Sequence, residues 1–158
     1  MKLKRLFVIL ITTFILTFST SCFEEQGGNV LLAETYGNVE NVKVISVYDG
    51  DTLKCTIQDY PDIVGKKIGV RIYGIDTPEI RGKSKEEKEL AIKARDFVKD
   101  RFKNAKKIEL RNMRRDKYFR ILADVYVDGV SIGGLLIKEG LARPYFGGTK
   151  EAWSVREK

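Results

Sequence analysis

Three short stretches of this chain carry carboxylates, and two of them hold arginine or lysine as well. Arg71 to Glu79 reads Arg-Ile-Tyr-Gly-Ile-Asp-Thr-Pro-Glu, Asp49-Gly50-Asp51-Thr52 lies upstream of it, and Asp116-Lys117-Tyr118-Phe119-Arg120 lies downstream. Oxygen donors of this kind suit a hard divalent cation, which takes carboxylates, carbonyls and water. Planar arginine forks match phosphate oxygens, and a carboxylate next to a bound water can remove its proton. The chain has no histidine. That excludes a Ser-His-Asp triad, a Cys-His pair, histidine zinc sites and an imidazole base, so acid–base work falls to carboxylates, lysine, tyrosine or water.

The elements that must position these residues are mostly strands. Val42 to Tyr48, Thr52 to Ile57 and Lys67 to Ile75 are rich in β-branched and aromatic residues, with turn residues at Asp49-Gly50 and from Asp59 to Asp62 around Pro61. The third strand stops before Pro78, which has no N–H for a sheet ladder, so Asp76 and Glu79 leave the sheet where it gives way to a loop. In strict alternation Arg71 and Asp76 face opposite ways, and a turn or bulge at Gly74 must reconcile them. Ser84-Lys85-Glu86-Glu87 is a capping box, and Leu90, Ala94, Phe97, Val98 and Phe102 follow at helical spacing. Ile108 and Leu110 begin a further strand that runs into Arg111, Arg114 and Arg115, and Ile121 to Val127 returns as its partner. Asp128-Gly129 is a hairpin-type turn, and Ile132 to Glu139 reads as a short helix closed by Gly140. The expected fold is α+β and mainly β: a five-stranded OB-like Greek-key barrel with two or three helices.

At 158 residues the chain has room for one domain beyond its first forty or so. Its net charge of +7 admits a polyanionic partner without requiring one. Residues 1–22 read as an export signal, with Lys2, Lys4 and Arg5 before an apolar run from Leu6 to Phe18 that is too short to span a bilayer comfortably. Ser19-Thr20-Ser21-Cys22 resembles a bacterial lipobox, with Ser19 where leucine is usual, which implies a lipid on Cys22. The competing reading is ordinary cleavage that leaves a soluble secreted or periplasmic protein. Residues 23–41 suit a flexible linker, and the domain is expected over residues 42–158. Cys55 shares a strand face with Leu53 and Ile57 and reads as a buried small hydrophobe.

Taken in order, the three motifs resemble the thermonuclease family, with its staphylococcal nuclease-like fold, over roughly Val42 to Tyr145. That resemblance implies calcium ligands at Asp51 and Asp76 and the backbone carbonyl of Thr77. It implies a general base at Glu79 and phosphate-holding arginines at Arg71 and Arg120. Lys117 and Tyr118 correspond to residues that contact the nucleotide, and Tyr145 approximately to one that stacks on a base. The implied activity is calcium-dependent hydrolysis of DNA and RNA with little sequence preference, leaving 3′-phosphates, by a monomer that prefers single strands. The chain departs from the pattern at Phe119, where glycine is usual, and in its short tail, with Trp153 available to pack on the barrel instead of a long helix. Duller readings exist for each piece: Asp49-Gly50 as a plain turn, Arg71 paired with Glu79 as a structural ion pair, and Arg111, Arg114 and Arg115 as solubilising charge. The alternative for the whole is an OB module that binds single strands on the cell envelope without cutting them.

Overall fold

A computed structural model describes residues 35–153. The export signal, Cys22 and the linker as far as residue 34 lie outside the described residues, as do residues 154–158. Among the described residues no helix is long and apolar enough to cross a membrane.

The elements in chain order are β1 (Val42–Asp49), β2 (Thr52–Ile57), α1 (Asp62–Gly65), β3 (Ile68–Ile72), β4 (Ile75–Asp76), α2 (Lys85–Lys103), β5 (Ile108–Arg115), β6 (Ile121–Val127), β7 (Val130–Ser131), α3 (Ile132–Lys138) and β8 (Arg143–Pro144). The main sheet runs β1-β2-β3-β6-β5, with β7 hung on β6. Every pairing in it is antiparallel except β3 with β6, which run parallel and are connected through α2. The sheet curls, and its open edge is bridged where Val39 pairs with Leu110 and Asn41 with Ile108. This is the mainly β, OB-like barrel with three helices, the first being the single turn Asp62–Gly65 in the expected turn region.

Two expectations are corrected. Residues 36–41 are not linker: Tyr36 N–H donates to Met113 O (2.7 Å), Val39 and Leu110 exchange backbone hydrogen bonds (2.9 Å each), and Val39 is buried. One apolar residue among glycine and asparagine carries no periodicity, but closing a sheet requires a pairing segment there, and Val39 fills the core position. The strand expected through Ile75 ends at Ile72, because Gly74 sits at φ +77 and turns the chain. Ile75–Asp76 then forms a separate short ladder with Arg143–Pro144.

The core joins alternate residues of the strands (Leu53, Cys55, Ile57; Val70, Ile72; Ala123, Val125, Val127) to Ala94 and Val98 of α2 and to Ile132 and Leu136 of α3. Burial pushes the Cys55 thiol up to about 12, as its place between Leu53 and Ile57 implies. Helix α2 is started by Ser84, whose hydroxyl accepts from Glu87 N–H (3.0 Å), while the Glu87 carboxylate reaches back to Lys83 N–H (3.2 Å). Two of its three buried positions are small, Ala91 and Ala94, and the helix packs closely on the β1–β2 turn: a Cβ on Gly50 would lie 2.8 Å from Ala94 Cβ. Helix α3 ends with Gly140 at φ +70, which lets Leu141 and Ala142 N–H return to Leu136 O (2.9 and 3.1 Å).

Candidate active site

The β1–β2 turn and the end of β3 bring Asp51 and Arg71 together, since Thr52 is paired with Arg71 in the ladder. Arg71 grips Asp51 with both ends of its guanidinium, Nη1 to Oδ1 at 3.0 Å and Nη2 to Oδ2 at 2.9 Å. The turn at Gly74 resolves the alternation conflict: Asp76 comes back to the same side, with Oδ1 3.5 Å from Arg71 Nη2. Thr77 N–H donates to Asp51 Oδ2 (3.2 Å), so Asp51, Arg71, Asp76 and Thr77 form one cluster. Asp51, Asp76 and Thr77 are all buried.

Arg71 therefore pairs with Asp51 and Asp76, and Glu79 pairs with Lys150 (3.1 Å). Lys150 Nζ also lies 2.8 Å from Asp76 Oδ1, which makes its ammonium a bridge between Asp76 and Glu79. Burial works against that charge, but the two carboxylates outweigh it and hold the lysine above its ordinary range. Asp49 is more than a turn residue. Its carboxylate accepts from Ile80 N–H (3.2 Å), tying the loop that carries Glu79 to the end of β1. Burial raises its carboxyl above the usual range, and repulsion by Asp51 and Glu79 adds to this against the Ile80 hydrogen bond and Arg71.

Three residues outside the motifs converge on Asp76, of which only Trp153 is expected from the sequence to pack on the barrel at all. Arg143 donates to its Oδ2 (3.0 Å), Trp153 Nε1 donates to the same oxygen (3.3 Å), and Lys150 approaches its Oδ1. Arg143 also lies 4.5 Å from the Trp153 ring centroid and donates to the carbonyls of Glu151 and Ala152, holding the segment over the site. Tyr145 is brought alongside, its ring 6.0 Å from Lys150 Nζ, with its hydroxyl donating to Gly148 O (2.8 Å).

The second arginine comes from the β5–β6 hairpin. Asp116 accepts from Tyr118 N–H (2.8 Å), Arg120 N–H (2.9 Å) and Arg120 Nε (2.7 Å), which fixes the tip. The Arg120 stem lies over Gly69, where a Cβ would come 3.2 Å from its Cγ. Gly69 is two residues from Arg71, so both arginines stand on one face of β3. Lys117 and Tyr118 sit exposed at the tip. Arg111 and Arg114 stack on Tyr126 and Tyr73 (4.0 and 4.2 Å to the ring centroids), so part of the basic run is packed charge.

The donor set is all hard oxygen. The place between Asp76 and Glu79 already draws a cation, and Asp76 Oδ1 and Thr77 Oγ1 are buried without an aligned hydrogen bond. These features fit a calcium ion. Among the described residues no three His, Cys, Asp or Glu side chains are gathered to hold a metal, so carbonyl and water oxygens would complete its shell.

A small OB-like barrel whose mouth combines buried aspartates, an outlying glutamate and arginines on one strand face defines a class of phosphate-handling domain. The family model described as Staphylococcal nuclease homologue matches residues 69–156. The chain is 31% identical over 140 residues to the thermonuclease of Staphylococcus hyicus, covering 88% of this chain and 79% of that protein. It is 38% identical over 133 residues to endonuclease YncB of Bacillus subtilis, covering 75% of this chain and about half (54%) of that protein's length. The chain belongs to the staphylococcal nuclease family.

Proposed function

We propose that this protein is a calcium-dependent endonuclease that hydrolyses phosphodiester bonds in DNA and RNA with little sequence preference, leaving 3′-phosphates. The observation that carries this is the single cluster in which Arg71 spans Asp51 and Asp76 while Glu79 stands one cation away. Asp51, Asp76 and the carbonyl of Thr77 would hold the metal, which when bound stabilises negative charge on the phosphate and lowers the pKa of nearby water. Glu79 would take the proton of the attacking water as its oxygen bonds to phosphorus. The bond from phosphorus to the 5′ oxygen breaks, and that oxygen leaves with a proton taken from solvent water, to which Glu79 in turn returns its own. Arg71 and Arg120 would hold the non-bridging oxygens as charge grows on them, with Lys117 and Tyr118 against the nucleotide and Tyr145 beside the base. Export by residues 1–22, with Cys22 lipidated or the chain released, and action as a monomer on single strands complete the proposal.

The test is digestion of single-stranded DNA with calcium and with a chelator, alongside Glu79→Gln. Cleavage should require calcium and fall on the order of 100-fold or more in the variant. Tight binding without cleavage, indifferent to chelator and variant, would instead identify a binding module, with Lys150 as the permanent partner of Asp76 and Glu79.

A further inference from the structure

Phe119 is the least comfortable residue of the hairpin tip. Its backbone sits at φ +62, in the left-handed region where a bulky side chain is strained and glycine is not. The residue is 81% exposed and belongs to no part of the core. The strain therefore serves no packing that the fold can use, and it holds an aromatic face out in solvent. Tyr118 beside it is 66% exposed. Cations surround both rings: Arg115 lies 6.0 Å from the Phe119 centroid, and Lys117 and Arg120 lie 5.1 and 5.4 Å from that of Tyr118. The tip is stiff, because Asp116 takes three hydrogen bonds from it and Arg115 Nη1 donates to Phe119 O (3.0 Å).

We propose that Phe119, with Tyr118, forms a stacking platform for an unpaired base of a single-stranded nucleic acid whose backbone passes Arg120 toward Arg71. Exposed aromatics interleaved with cations bind single strands in this way, because every base offers a π face and every linkage a phosphate. Such a tip could also dip into an anionic bilayer. The nucleic acid is favoured because the Arg120 stem crosses Gly69 on the face that carries Arg71, so Arg120 links the hairpin tip to the strand face where Arg71 holds Asp51. The inference rests on the nuclease reading but is separable from it.

The experiment measures binding of the full chain, in chelator so that no cleavage intervenes, to an oligo-dT of about eight nucleotides, within the span of one OB fold. An abasic sugar-phosphate chain of equal length is the reference. Phe119→Gly and Phe119→Leu should each bind oligo-dT about tenfold more weakly, about 1.4 kcal/mol, with little change for the abasic chain. Phe119→Tyr should bind as the wild type does. Equal binding of all variants, or an equal loss on both ligands, overturns the proposal. So does a Phe119-dependent affinity for phosphatidylserine vesicles with oligo-dT binding unmoved. A Tm of Phe119→Gly several degrees below the wild type would make the ring structural, which also overturns it. Digestion by the wild type with calcium separates the two readings. Stacking without cleavage sinks the nuclease and keeps the platform, whereas cleavage with variants that bind alike sinks only the platform.

Discussion

Asp116 shows how much one side chain can decide. It is only 10% exposed, and three donors from Tyr118 and Arg120 converge on it. Burial pushes its carboxyl up, but the Arg120 side chain and the backbone N–H groups outweigh burial and hold it below the usual range. A carboxyl lowered on folding adds stability above its unfolded value of about 3.8 and loses it as the pH falls through the folded value. Asp116→Asn should therefore be less stable than wild type by about 1–2 kcal/mol near neutrality, with the gap closing in acid below pH 3.8. Thermal melts of both proteins across that range check this. A gap that persists unchanged would assign the loss to something other than the charge. In the same variant Arg120 loses its charged anchor, so cleavage should fall with stability.

Among the elements, the segment after β8 is the least expected and the most consequential. Arg143 anchors it, Trp153 caps Asp76, and Lys150 lies between Asp76 and Glu79. On the calcium reading an ammonium and a divalent ion compete for the same carboxylate oxygens. Calcium should then shift the fluorescence of Trp153, the single tryptophan of the chain, and Lys150→Ala should bind calcium about threefold more tightly. The effect is kept small because a partly exposed lysine is screened by solvent. Emission that ignores calcium, together with an unchanged affinity in the variant, would place the metal elsewhere.

At the scale of the whole molecule the site and the core share a joint at Gly50. A Cβ there would meet Ala94 Cβ at 2.8 Å and Thr77 Cγ2 at 3.0 Å, and neither atom lies at the end of a long side chain that could swing aside. Helix α2, the β1–β2 turn and the loop that carries Asp76 and Thr77 are thereby packed as a unit. Gly50→Ala should cost about 1–3 kcal/mol and lower cleavage as well, since Asp51 and Thr77 adjoin the clash. Adding Ala94→Gly should recover part of the lost stability, a coupling readable in a double-mutant cycle. Purely additive losses would mean that the contact does not transmit strain.

Read by itself, the chain determined what acts over a few residues. The capping box at Ser84, the Asp128-Gly129 turn, the buried face of Leu53, Cys55 and Ile57, and the need for a turn at Gly74 between Arg71 and Asp76 all follow from local sterics and strand alternation. The three motifs, taken in order, carried the resemblance to the nuclease family to which the chain belongs. Only the tertiary structure decided the rest. Val39 closes the barrel edge through Leu110, and Arg143 and Trp153 reach Asp76 across 67 and 77 residues. Those contacts exist because pairing of Ile75–Asp76 with Arg143–Pro144 carries the end of the chain past the site. An ion pair between distant residues leaves no periodicity in either segment, so its partners become visible only once the sheet has brought them together.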